Sequence, residues 1–71
     1  MQFRNLPSVD SVLANKSVAA AVESFDRDWV VGLVREELDA AREQIRQGAD
    51  SPDADYLAVS TLQRIDDTMR A

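Results

Sequence analysis

Two stretches of this chain repeat apolar residues at intervals of three and four, a period that a helix satisfies and a strand does not. In the first, Val30, Leu33, Val34, Leu38, Ala41 and Ile45 return to one side of a helix over several turns. In the second, Leu57, Ala58, Leu62, Ile65 and Met69 do the same. The punctuation between them agrees. Asp26 or Asp28 can cap the first stretch, Arg46 sits near its end, and Gly48 takes the position that favours a left-handed residue. Ala49-Asp50-Ser51-Pro52 then connects to the second stretch, with Ser51 as N-cap, Pro52 at the first helical position, and Asp53 and Asp55 in the first turn. So short a connection predicts an antiparallel hairpin of two long helices.

Upstream, two short helices are expected. Pro7 opens the first, which runs to about Ala14 and spaces Val9, Val12 and Leu13 on one side. Asn15 stops it and Ser17 caps the next, from Val18 to about Ser24, which aligns Val18, Ala21, Val22 and Phe25. Neither is long enough to be helical in isolation, so both must lean on the hairpin. No alternating apolar-polar run suggests a strand. The expected fold is all-α: a small bundle of two short N-terminal helices packed on an antiparallel pair of longer ones, forming a single domain over residues 1–71. Gly32, inside the third helix, costs about 1 kcal/mol relative to alanine and marks either close packing or simple tolerance.

Composition excludes most chemistry. The chain contains neither cysteine nor histidine, so disulfides, thiolate metal sites and nucleophile–histidine pairs are out of reach. Two glycines cannot build a phosphate-binding glycine loop. Asp66 and Asp67 are adjacent on a helix and diverge around its axis, which reads as solvated surface rather than an acid–base pair. Asp50, Asp53 and Asp55 lack the glycine and distal glutamate of a calcium loop and coincide with a helix start. A module that binds and does not catalyse is expected, with no catalytic residue, no metal site and no cofactor site of its own. No uncharged run approaches the roughly 20 residues that span a bilayer, and the N-terminus lacks a signal-peptide core, so the cytoplasm is the expected compartment. The net charge of −5 argues against general affinity for phosphate, but total charge leaves room for a local basic stripe.

Such a stripe exists on the third helix. At about 100° per residue, Arg35, Arg42 and Arg46 fall in one narrow band beside the apolar face, with Glu36, Asp39 and Glu43 on the next sector round. Three guanidinium forks along a rigid helix suit phosphate. They equally suit a salt-bridged surface, because Asp39 lies four after Arg35 and three before Arg42. Arg4, Lys16 and Arg27 could extend a basic edge, depending on the fold. Trp29 lies at the rim of the apolar sector and reads as a core contact rather than a base-stacking platform. Tyr56 and Val59 project away from the buried stripe of their helix, an exposed pair that could dock a partner or mean nothing.

Two motifs carry a family resemblance. Leu6-Pro7-Ser8-Val9-Asp10-Ser11-Val12-Leu13 resembles a stretch near the N-terminus of bacterial L-seryl-tRNA(Sec) selenium transferases, the selenocysteine synthases. The helix Val30-Val31-Gly32-Leu33-Val34-Arg35, continuing through Leu38-Asp39, Ala41-Arg42-Glu43, Ile45-Arg46 and Gly48, resembles the longer helix that follows in that family. Order and spacing agree over about half the chain, while Ala14 to Asp28 and the last helix match in general character.

The resemblance implies an N-terminal helical domain that grips tRNA(Sec), chiefly by its D-arm, with Arg35, Arg42, Arg46, Arg27, Lys16 and Arg4 as candidate tRNA contacts. It also implies a parent enzyme that uses pyridoxal phosphate (PLP) and selenophosphate to convert seryl-tRNA(Sec) into selenocysteinyl-tRNA(Sec). The cofactor lysine would lie in a large catalytic domain beyond Ala71, since Lys16 matches no Schiff-base position. This piece would then be monomeric and free of cofactor, with its own catalytic domain as a second partner, and the full-length enzyme a large ring-shaped homo-oligomer. The alternative is a helical protein-interaction or oligomerisation module with no RNA role, docking through Tyr56 and Val59 or through its acidic faces.

Overall fold

The computed structural model describes residues 6–70 and is helical throughout its regular structure, with no strand among them. Four helices follow in chain order: α1, Val9–Leu13; α2, Lys16–Ser24; α3, Arg27–Arg46; and α4, Ala54–Arg70. α3 and α4 pack against each other, and α1 and α2 each touch both. The long pair is antiparallel: Arg64 reaches Glu37, while Tyr56 and Leu57 meet Gln44, so residue numbers rise on one helix as they fall on the other.

All six apolar residues of the expected α3 stripe are buried: Val30, Leu33, Val34, Leu38, Ala41 and Ile45. Val12 of α1, Val18 and Ala21 of α2, and Leu57, Ala58 and Ile65 of α4 meet the first five of these in one core cluster. Phe25 and Trp29 close one side, half-buried against that core with their rings edge to face at 5.8 Å. Trp29 is thus a packing residue.

The α4 stripe needs two corrections. Met69 is 55% exposed, because it lies in the last turn, beyond the packed part of the helix. Thr61 is fully buried in its place at mid-helix. Its hydroxyl donates to the Leu57 carbonyl one turn back at 2.9 Å, so no buried side-chain polar atom is left unpaired among the described residues and a threonine can sit in an apolar core.

Three helix starts differ from the sequence expectation, each because a better oxygen acceptor stands nearby. α1 begins at Val9, after Pro7, with Ser8 Oγ accepting from the Ser11 N–H. Asn15 does not merely end α1. Its Oδ1 accepts from the N–H groups of Ser17 and Val18, so Asn15, and not Ser17, caps α2. α4 starts at Ala54 with Asp53 accepting from the Tyr56 N–H at 2.8 Å, which displaces Ser51 and Pro52 into the connector. A carboxylate at that point also meets the positive end of the helix dipole. On α3, Asp26 is the cap rather than Asp28. Gly48 has φ +100°, and paired bonds from Gly48 N–H to Ile45 O and from Ala49 N–H to Gln44 O close the helix end as a Schellman motif. A Cβ at Gly32 would meet nothing within 4 Å, so close packing is not what keeps glycine there.

Candidate nucleic-acid interface

α3 is the element that positions the candidate contacts. Its apolar stripe is locked into the core, which fixes the rotation of the helix and turns Arg35, Arg42 and Arg46 to solvent. Arg35 and Arg42 stand on the rim of a shallow depression of about 250 Å³ between α1 and α3, with Val9, Leu38 and Asp39 completing its walls. Seven helical residues place the two arginines roughly 10 Å apart along the axis.

The three guanidinium groups differ in how they are held. Arg42 Nη1 donates to Asp39 Oδ1 at 2.7 Å, and Arg46 Nη1 to Glu43 Oε2 at 3.4 Å, both between exposed side chains one turn apart. Arg35 pairs with no carboxylate among the described residues, although Asp39 lies four positions on, the right spacing for a helix pair. The salt-bridged surface suggested by the sequence is therefore half formed. Arg46 does not line the depression, and neither do Arg27 and Lys16, the exposed first residues of α3 and α2. Arg27 is turned about 80° from Arg35 around α3. Arg4 lies outside the described residues.

The acidic sector beside the stripe is partly neutralised from across the hairpin. Arg64 of α4 donates through Nη2 to Glu36 Oε1 at 2.6 Å and through Nη1 to Glu37 Oε2 at 3.1 Å. These bonds, first to Glu36 and then to Glu37, push the Arg64 pKa above its ordinary value. Sequence reading missed this clamp. Arg64 shares no helical spacing with either glutamate, and the pairing follows only from the register of α3 against α4.

At the connector, Tyr56 is 59% exposed and Val59 62%. Tyr56 lines a second, open depression of about 420 Å³ with Gln44, Asp50, Ser51, Pro52 and Asp53. The carboxylates here do not converge: no group of three or more metal-ligating side chains occurs among the described residues. Nor is any described helix long and apolar enough to cross a membrane.

Comparison with known proteins places these features in a family. The model for the N-terminal region of selenocysteine synthase matches residues 3–42, a segment that includes α1, α2 and the part of α3 carrying Arg35, Asp39 and Arg42 and stops short of Arg46. The L-seryl-tRNA(Sec) selenium transferase of Rhizobium meliloti (strain 1021) is 34% identical over 71 residues, which is the whole of this chain and 15% of the relative. No solved structure matches the chain significantly. With more than half its length matched to the family model and a relative above 30% identity along its entire extent, the chain belongs to the selenocysteine synthase N-terminal family.

Proposed function

We propose that residues 1–71 form the tRNA-binding N-terminal unit of a selenocysteine-forming enzyme, and that this unit grips tRNA(Sec) by its D-arm. The observation that carries the reading is the α1–α3 depression. Arg35 and Arg42 line it together with Val9, Leu38 and Asp39, and the segment that forms it is the one shared with the family. RNA arms are recognised by shape and by a few placed contacts to backbone and splayed bases, a task that tolerates a net charge of −5 when the cations face the RNA. In this reading Arg35 and Arg42 are the principal contacts. Arg46, Arg27, Lys16 and Arg4 contribute longer-range attraction.

In this reading the chemistry belongs to a catalytic domain outside these residues, as the chain spans only 15% of the length of the selenium transferase it matches. Bound there, PLP would supply the electron sink for replacing the seryl hydroxyl with selenium from selenophosphate. The residues of this chain do not fit that cofactor. Its one lysine, Lys16, opens α2 on the exposed surface and lines none of the depressions described above. The unit's share of the reaction is to bring the aminoacylated tRNA to the catalytic domain, in the cytoplasm and within a homo-oligomer.

Titration of a labelled tRNA(Sec) transcript with the 71-residue chain tests this. Saturable binding that weakens as salt rises is expected. Arg35→Ala/Arg42→Ala/Arg46→Ala should weaken it at least tenfold with helical content unchanged. Equal binding by the triple variant would reject the arginine surface. No binding at low salt, together with salt-insensitive self-association in light scattering, would favour a protein-docking module acting through Tyr56 and Val59.

A further inference from the structure

The stripe arginines are not equivalent, and the difference lies with Asp39. This carboxylate stands four residues after Arg35 and three before Arg42, yet it closes on Arg42 alone, at 2.7 Å. Both arginines and Asp39 line the same depression. Resting on the tRNA-binding reading above, we infer that Asp39 is a built-in restraint on RNA contact: Arg35 takes the first phosphate, and Arg42 engages only when a second phosphate displaces the Asp39 carboxylate.

Carboxylate and phosphate offer a guanidinium the same forked pair of acceptor oxygens, so they compete for Arg42. Both partners are well exposed, Arg42 at 50% and Asp39 at 72%, so the ion pair is screened by water and readily exchanged. Val9 of α1, half-buried, lines the same depression and gives an apolar patch beside the two arginines on which an unpaired base can lie while phosphates of the same strand meet Arg35 and Arg42. An RNA that presents two phosphates at the spacing of the two arginines displaces Asp39. One that presents a single phosphate engages Arg35 and meets the Asp39 charge as repulsion. Asp39 thereby trades affinity for discrimination.

The test is a double-mutant cycle at residues 39 and 42, titrating tRNA(Sec) and an elongator tRNA with the 71-residue chain at several salt concentrations. Asp39→Asn should tighten binding to tRNA(Sec) about three- to tenfold and steepen its salt dependence by about one counterion. It should tighten the elongator tRNA by a larger factor, which narrows the discrimination between the two. Arg42→Ala should weaken tRNA(Sec) binding about three- to tenfold, change elongator tRNA binding less than about twofold, and abolish the gain that Asp39→Asn gives tRNA(Sec). Unchanged or weaker binding by Asp39→Asn overturns the inference and leaves the tRNA reading standing. A gain for tRNA(Sec) that survives Arg42→Ala also overturns it, by showing a general charge effect instead of release of Arg42. Absence of any RNA binding by the wild-type chain at low salt rejects the reading and the restraint together.

Discussion

Replacing Gly32 by alanine should stabilise the protein, and the structure fixes by how much. Gly32 is the sixth residue of a 20-residue helix, and its φ is negative, since Gly48 is the one glycine with positive φ among the described residues. A Cβ built there meets nothing within 4 Å, so the methyl group neither clashes nor gains packing. What remains is the backbone term: glycine in a helix interior is about 0.8–1.0 kcal/mol less favourable than alanine. For a domain of this size that corresponds to a rise in Tm of about 4–8 °C. Thermal melts followed by circular dichroism at 222 nm measure the shift. Urea titration should show a higher midpoint with an unchanged m value, the sign of altered stability without altered compactness. A lower Tm would refute the reasoning, because it would mean that some backbone approaches Gly32 where open space is described. A higher Tm combined with weaker tRNA binding would show instead that Gly32 lies against the RNA.

The corrected caps and core make further predictions. Asp53→Ala should cost about 1 kcal/mol in a urea melt and Ser51→Ala close to nothing, because Asp53 accepts from the first turn of α4. Equal costs would return the cap to Ser51. Leu57→Ala, at a position 2% exposed, should cost about 3 kcal/mol, a large part of the total stability of a 71-residue domain, and should visibly reduce helicity at 37 °C. Thr61→Val should be nearly neutral, since the lost hydroxyl bond to Leu57 O is offset by a buried methyl, whereas Thr61→Ala should cost about 1 kcal/mol. Arg64→Ala should cost less than about 1 kcal/mol, because the Arg64 side chain is 40% exposed, and most of that loss should vanish in high salt.

The long-range plan of this fold is legible in the sequence because it depends on period. Six residues of α3 at helical spacing are the six that the core buries, and Gly48 falls at the left-handed position where the helix must close. Starts were harder. Ser8, Asn15, Asp26 and Asp53 each stand within a few residues of another oxygen-bearing side chain or a proline, and which one caps depends on backbone geometry that composition does not encode. Thr61 escaped for a similar reason: its polarity argues for the surface, and its hydroxyl becomes invisible to the core only once it bonds within its own helix. At the candidate interface the arginine band on α3 was readable from spacing. Its division was not, because the depression depends on α1 packing beside α3, and the Arg64 clamp on the register of α4. Family likeness added what spacing could not, a reason to connect two arginines with RNA.

The central claim is that this helical unit recognises tRNA(Sec) through its D-arm. The most direct measurement is the affinity of the 71-residue chain for tRNA(Sec) against the same tRNA carrying the D-arm of a serine tRNA, at equal salt and with Arg35→Ala/Arg42→Ala as control. The account predicts that the exchange weakens binding at least tenfold and that the double variant, already weak, responds little to it. Equal affinity for both RNAs, or an unchanged preference in the double variant, would contradict it.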